Sequence, residues 1–325
     1  MLSLSLKRQL TSLFDASCNH LWENTRRFSM IVLGGLILSP LVSRLPILGW
    51  DWFFFFNRYN PHFNLLSPTS AYPPYTTILL SPLTWMDWRV SLSILHSLTL
   101  LTVAVATWQS GGRYGSILLA LLTPPLWFLL WVGHPDGLSL LGFITGIIPL
   151  ALIKPQLTIF SLMSKKTSFT WTIIFLVASL LIWPLWPMKL RLATFGHEAA
   201  FGWTETGLPI LVLGLILLAG AGAHPYRLMA AGFLVSPYLM PYNLAVLAPV
   251  IGSARGWRKV LIWASSWLTV LGTGLTGPAK YLNLVFPLTA YCLTHTLGDY
   301  FVNVSDLIGM FKRYVTIMLD RRSGA

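Results

Sequence analysis

The chain has 325 residues, of which 55% are hydrophobic and only 10% are charged, whereas a soluble domain carries about 25% charged residues. This composition excludes an ordinary soluble enzyme and predicts an integral membrane protein. Apolar runs recur along the whole length, leave no polar block for a soluble domain, and are too long for barrel strands. We therefore expect an all-α polytopic membrane protein with a single membrane domain over 1–325.

The net charge of +12 comes from 22 Lys and Arg against 10 Asp and Glu. In a membrane protein such an excess indicates basic cytoplasmic loops and contact with anionic lipid. We expect membrane lipids as partners and no nucleic acid. Cys18 and Cys292 are the only cysteines, one before the first span and one inside the last, so we expect no structural disulfide.

The predicted elements begin with a cytoplasmic N-terminal segment, 1–27, and the first span, 28–42. A Tyr-Pro-Pro-Tyr break at 72–75 precedes a run that is too short to cross a bilayer, which predicts an interfacial half-helix on the outer side. The later apolar runs predict crossings at 90–108, 117–131, 137–163, 171–186, 207–223, 260–276 and 283–297. We therefore expect a bundle of about eight spans over 28–297. The tail, 298–325, predicts an amphipathic cytoplasmic helix.

The segment 228–251 decides the topology. Taken as one span, it places the cations at 255–259 and in the tail outside the cell. Taken as a hairpin broken at 236–238 and 241–243, it keeps them inside. With Lys154 counted within the membrane, the hairpin puts 15 Lys and Arg inside and 6 outside, whereas the single span puts 9 inside and 12 outside. The positive-inside rule therefore favours the broken hairpin.

The stretch 49–75, GWDWFFFFNRYNPHFNLLSPTSAYPPY, contains a single carboxylate, Asp51. Among aromatic neighbours at a membrane surface Asp51 is partly desolvated, which favours its neutral form unless a cation such as Arg58 offsets the effect. Such an environment suits a general base, which works best when its pKa lies near the working pH. The alternative is an interfacial aromatic belt that contains one solvated Asp.

Lys154 stands between two apolar runs, 143–153 and 157–163. A lysine at the centre of a membrane helix costs about 2.5–3.5 kcal/mol, so it needs a partner or a cavity. A phosphate would supply such a partner, and Pro155 predicts a kink that favours a polar cavity. The alternative is a lysine that extends along the helix to reach one membrane face.

His134 and Asp136 lie on a short turn, which we interpret as a solvated Pro-containing turn rather than a metal site. The chain has no HExxH, CxxC, GxSxG or P-loop motif, and no GxGxxG motif after a strand. Hydrolase, redox and nucleotide-binding activities therefore have no motif support. We expect neither a metal nor a cofactor.

Several of these features occur in an order that resembles the polyprenyl-phosphate-dependent GT-C glycosyltransferases. They are an Asp in an aromatic loop after the first span, a Tyr-Pro-Pro half-helix with Pro82, a Gly-His turn after the third apolar run, an in-membrane Lys-Pro-Gln, and a late Ser-Pro-Tyr followed by Tyr-Asn. The chain is most similar to family 87, which includes membrane mannosyltransferases, over roughly 28–255. It departs from that family because it lacks a hydrophobic pair between Gly133 and Lys154 and has no soluble outer domain.

The resemblance implies a GT-C-like bundle in the bacterial cytoplasmic membrane, with its site on the outer side. It also implies inverting transfer of a mannose-like sugar from a polyprenyl-phosphate donor to an acceptor. Asp51 would be the catalytic base that takes a proton from the acceptor hydroxyl. The cations that would meet the donor phosphate are Lys154, Arg58 and Arg191. The residues that would contact sugar or acceptor are Trp50, Trp52, Tyr59, Tyr72, His134 and Asp136.

Two other classes of function stay open. One is a non-catalytic membrane scaffold or accessory subunit with protein partners in a larger assembly, which the short chain and the amphipathic tail favour. The other is a lipid or solute transporter, because transporters often use broken helices. The absence of an internal repeat that relates the two halves of the sequence argues against transport.

Overall fold

The protein is described here from a computed structural model, which covers residues 4–45, 48–53, 73–184, 186–189, 200–274 and 277–294. Within these residues every regular element is helical, so the predicted all-α class is confirmed for this part of the chain. In chain order the α-helices are α1 (Leu4–Val42), α2 (Pro74–Thr84), α3 (Trp88–Gln109), α4 (Tyr114–Leu121), α5 (Pro124–Val132), α6 (Asp136–Thr145), α7 (Ile148–Ala151), α8 (Pro155–Leu162), α9 (Lys166–Ile182), α10 (Trp186–Lys189), α11 (Trp203–Thr206), α12 (Leu208–Gly220), α13 (Pro225–Val235), α14 (Val250–Ser253), α15 (Arg258–Ser266), α16 (Leu268–Gly274) and α17 (Val285–Leu293). Two 3₁₀ segments, Pro241–Leu247 and Gly277–Leu284, complete the described elements.

Two of the described helices are long and apolar enough to cross a membrane, namely the Trp22–Val42 part of α1 and the whole of α3. Helices α4 and α5 are bent by 51° at their junction and make a third span if they are taken together. The predicted number of about eight spans is therefore not confirmed. Proline at the first or second position starts many of the shorter helices, and it divides the apolar runs because it cannot continue a preceding helix.

The N-terminal region differs from the prediction in one respect. Helix α1 starts at Leu4 and continues without interruption to Val42, so the polar segment 1–27 and the first span belong largely to one helix of 39 residues. The predicted tail helix over 298–325 lies outside the described residues.

The core lies between α3, α5, α6, α13 and the 3₁₀ segment Pro241–Leu247. Its largest cluster includes Phe201, Phe233 and Phe286, whose side chains are fully buried. Helices α9 and α12 instead leave large apolar side chains exposed, among them Trp171, Leu181 and Ile216. An exposed apolar face of this kind suits contact with lipid. In a membrane the association of helices is stabilised by their close packing.

The predicted crossing 137–163 is wrong as a single kinked helix. Helix α6 ends at Gly146, whose φ of 72° is left-handed, and α7 then folds back along α6. This return brings Lys154 to within 3.2 Å of Asp136, at the start of α6, before α8 leads away again. The chain therefore passes along this part of the molecule three times.

The segment 228–251 is broken, as in the hairpin alternative, and is not a single helix. Helix α13 ends at Val235, and a non-helical stretch separates it from the 3₁₀ segment that carries Asn243. His224 and Ser253, on either side of this segment, line one pocket together with Arg27 and Lys165. We call the end of the molecule that carries this pocket the basic end. The opposite end, where Asn243 contacts Asp136, is called the site end.

Candidate functional site: a buried charge cluster

A buried cluster of polar and charged side chains at the site end centres on Asp136, whose side chain is fully buried. Its Oδ1 accepts hydrogen bonds from Lys154 Nζ at 3.2 Å and from His134 Nδ1 at 2.5 Å. Its Oδ2 accepts from Asn243 Nδ2 at 2.5 Å. His134 is 6% exposed and Lys154 is 8% exposed. Because an isolated buried ion costs several kcal/mol, this pairing explains how the charges are tolerated.

The cluster corrects two interpretations of the sequence. The solvated turn that we expected for His134 and Asp136 is wrong, since both side chains are buried. The alternative in which Lys154 extends to a membrane face is also wrong, because its ammonium group is buried against Asp136. The partner that the sequence left unidentified is a carboxylate of the protein itself.

The residues next to His134, Asp136 and Lys154 in the sequence determine where these three side chains lie. Gly133 ends α5 with a φ of 75°, a left-handed conformation that favours glycine. His134 follows directly, and Asp136 occupies the first turn of α6, where a negative charge interacts favourably with the helix dipole. Lys154 precedes Pro155, the first residue of α8, so its side chain leaves the backbone at a helix break.

Helix α2 holds the backbone that leads to Lys154. Tyr75 Oη donates to the carbonyl of Leu152 at 2.8 Å, and Thr76 Oγ1 donates to the carbonyl of Ile153 at 3.2 Å. The short helix that the sequence predicted is therefore present, but its first turn is buried against the chain beside Lys154. These two hydrogen bonds anchor the return after α7.

Tyr242 and Asn243, the Tyr-Asn pair noted in the sequence, belong to the cluster, although neither was among the predicted site residues. Asn243 Oδ1 accepts from the backbone N–H of Met240 at 2.6 Å, which orients the amide so that its Nδ2 faces Asp136. The Tyr242 ring lies 4.8 Å from the His134 ring and 5.2 Å from Lys154 Nζ, within cation–π range. An Asn within a wholly apolar run next to a proline break is the signal that could have identified this position.

Asp51 lies beside the cluster and is partly buried. The backbone N–H of Gly49 donates to the carbonyl of Trp131 at 2.9 Å, and a Cβ on Gly133 would lie 2.7 Å from Gly49 Cα. The segment that carries Asp51 therefore packs directly against the turn that carries His134. At this position the Asp51 carboxylate interacts electrostatically with His134 and Lys154.

The two described tryptophans of the aromatic loop have different environments. Trp50 is 56% exposed, whereas Trp52 is fully buried and its indole Nε1 donates to Ser91 Oγ at 2.6 Å. Trp52 therefore acts in packing and does not present a ring face to a sugar, while Trp50 can. The remaining predicted site residues, Arg58, Tyr59, Tyr72 and Arg191, lie outside the described residues.

The arrangement can perform proton transfer and stabilise an anion. It combines a partly buried carboxylate with an imidazole and an ammonium group that a second carboxylate holds in place. Among the residues that the structure describes, no group of three or more His, Cys, Asp or Glu side chains could hold a metal ion.

No family model, curated protein or solved structure matches the chain at a significant level. The resemblance to family 87 therefore stays a prediction. In the part of the chain that the structure describes, the protein is all-helical, with two or three helices of membrane-spanning length and a buried Asp-His-Lys-Asn cluster at one end.

Proposed function

We propose that the protein is a membrane glycosyltransferase that transfers a sugar, with inversion, from a polyprenyl-phosphate donor to an acceptor hydroxyl. The observation that carries this proposal is the packing of the segment that bears Asp51 against the turn that bears His134, next to the buried Lys154 ammonium group. Sugar transfer of this type needs a base for the acceptor proton and positive charge for the departing phosphate. Both kinds of group occur together at the site end, beside the exposed ring of Trp50.

In the proposed reaction Asp51 takes the proton of the acceptor hydroxyl while the hydroxyl oxygen of the acceptor forms a bond to the anomeric carbon. The bond between that carbon and the phosphate oxygen breaks, and the lipid phosphate leaves with the electron pair. The Lys154 ammonium group, which Asp136 and His134 contact, offsets the charge that develops on the phosphate. Asp136 is a positioning residue in this scheme, because it holds the Lys154 ammonium group and the His134 imidazole by direct hydrogen bonds.

The test is transfer of a labelled sugar from polyprenyl-phosphate donors by the purified protein. A general base contributes about 10²- to 10⁴-fold to the rate, so Asp51→Asn should lower turnover at least about 10²-fold while donor binding holds. Unchanged transfer by Asp51→Asn would exclude the base role. Absence of transfer by the wild type with every polyprenyl-phosphate donor would exclude the enzyme.

Asp87→Asn is the matched control for this test. Asp87 is exposed and caps the N-terminus of α3, where its Oδ1 accepts from the backbone N–H of Arg89. Asn caps helices about as well as Asp, so the substitution should be structurally neutral. The control lies near the tested residue, because the ring of Trp88 packs against Phe53 with centroids 5.2 Å apart. Transfer by Asp87→Asn should match that of the wild type.

A lipid transporter is the second candidate. One observation favours it, namely that two broken segments, α6 to α8 and α13 with its following 3₁₀ segment, meet at the charged cluster. Transporters often bind substrates where discontinuous helices end. Movement of labelled lipid across vesicles without sugar transfer would support this candidate. Co-purification of stoichiometric protein partners, with neither activity present, would instead support a scaffold.

A further inference from the structure

A pocket of 340 Å³ opens at the basic end of the molecule. This volume is at the lower end of the range of about 300 to 1,000 Å³ that small-molecule sites occupy. Its walls come from α1, α3, α8, α9, α13 and α14, and from the end of α6 that is remote from Asp136. The pocket is therefore separate from the charge cluster.

The lining of this pocket is polar and basic. Arg27, Lys165 and His224 contribute three basic side chains, and seven serine or amide side chains surround them: Asn24, Gln109, Ser110, Ser161, Ser164, Ser168 and Ser253. None of the lining residues that the structure describes is a carboxylate. Glu23 does not line the pocket but lies 3.8 Å from Arg27, and exposed pairs of this kind contribute only about 0–1 kcal/mol. The pocket therefore favours an anion.

Two helix N-termini reinforce this preference. Helix α9, of 17 residues, and helix α13, of 11 residues, both begin at the pocket, and neither has a side-chain hydrogen bond at its N-cap. Their N-cap residues, Lys165 and His224, are both lining residues. The first backbone N–H groups of a helix and its positive dipole end favour an anionic ligand.

We propose that this pocket binds a phosphate group, as a monoester or a diester. Arginine recognises phosphate oxygens through two parallel hydrogen bonds, and serine and amide side chains supply further donors. At the end of a membrane bundle the phosphate belongs either to the headgroup of an anionic phospholipid or to a small phosphorylated molecule in solution. This site does not depend on the proposed sugar transfer, which takes place at the opposite end.

The experiment uses the full chain in dodecyl maltoside, a detergent that contains no phosphate. Binding of glycerol 3-phosphate is measured by calorimetry, and retention of added phosphatidylglycerol is measured by native mass spectrometry. The pocket variant is Arg27→Gln with Lys165→Gln. The control variant is Arg113→Gln with Arg255→Gln, which removes the same charge from exposed positions at the same end but outside the pocket.

We expect the wild type to bind at least one probe saturably. The pocket variant should bind that probe at least about tenfold more weakly, because hydrogen bonds to charged groups contribute more to binding than those between neutral groups. The control should change the affinity by less than about threefold, since exposed charges are screened by salt. Binding of glycerol 3-phosphate would identify a soluble ligand, and retention of phosphatidylglycerol alone would identify a lipid. Absence of binding by both probes, or an equal loss in both variants, would overturn the proposal.

Discussion

The Asp136 carboxylate holds an ammonium group, an imidazole and an amide in one buried place. Removing one partner of a buried ion pair costs about 3–5 kcal/mol, because the other charge is left uncompensated. We predict that Asp136→Asn lowers the free energy of unfolding by about this amount. Lys154→Met should cost less, since Asp136 keeps its hydrogen bonds with His134 and Asn243. Denaturation of the purified protein in detergent measures both changes.

The double variant Asp136→Asn/Lys154→Met provides the control for this comparison. If the cost of Asp136→Asn comes from the unpaired lysine, removing the lysine as well should restore part of the stability, and the two effects will not add. Strict additivity would show that the ion pair does not determine the stability of the cluster. A larger loss for Lys154→Met than for Asp136→Asn would show that the hydrogen bonds from His134 and Asn243 do not compensate the Asp136 charge.

At the residue scale the sequence identified charges but not their partners. Asp51, Asp136 and Lys154 were recognisable because ionisable side chains are rare in apolar runs and beside breaks. The contact between Lys154 and Asp136 depends on the backward fold of α7, which hydropathy does not encode. Asn243 lies 107 residues from Asp136 in the sequence, so its contact could not be anticipated from spacing.

At the element scale the fold-back of α7 against α6 positions Lys154, and Gly142 permits that close approach. A Cβ at this position would lie 2.1 Å from the backbone nitrogen of Ala151. We predict that Gly142→Ala separates the two helices and costs about 1–3 kcal/mol, as overpacking does. It should also reduce the proposed sugar transfer, because the separation moves Lys154 away from Asp136. Thermal unfolding and the transfer assay test both effects.

Gly115→Ala is the matched control, since Gly115 lies in helix α4 and no atom is within 4 Å of its added Cβ. This substitution should be neutral or should stabilise the protein by about 0.5–1 kcal/mol, because alanine is the better helix former. If both alanine variants unfold at the same temperature, the close approach of α6 and α7 is not required.

Proline and polar breaks in the sequence marked several element boundaries well. The start of α2 at Pro74, the start of α8 at Pro155 and the break after Val235 all occur where the sequence indicated them. The turn after α6 was missed because Gly146 is followed by Ile147 and Ile148, which continue an apolar run. A hydropathy pattern does not distinguish one long crossing from three short helices that fold back on each other.

At the scale of the whole molecule the structure groups cations at the basic end. Arg27 and Lys165 line the pocket there, Arg113 follows a turn that packs against Gly252, and Arg255 follows the pocket residue Ser253. The positive-inside rule therefore assigns the basic end to the cytoplasm and the site end to the outer side. This orientation stays a prediction, and labelling of single cysteines tests it.

Exposed positions near the two ends suit such a test. Trp85 is 75% exposed in the turn before α3, at the site end, and Tyr114 is 82% exposed at the start of α4, at the basic end. The background for labelling replaces Cys18 and Cys292 by serine, since these are the only native cysteines.

We predict that a membrane-impermeant maleimide added to intact cells labels Trp85→Cys and does not label Tyr114→Cys. Permeabilising the cells should make Tyr114→Cys reactive as well, which controls for an unreactive thiol. The expected difference follows from the charge distribution, because basic segments are retained in the cytoplasm during insertion. Labelling of Tyr114→Cys in intact cells, with Trp85→Cys protected, would invert the orientation. The charge cluster and Asp51 would then face the cytoplasm, where sugar transfer on the outer side of the membrane could not take place.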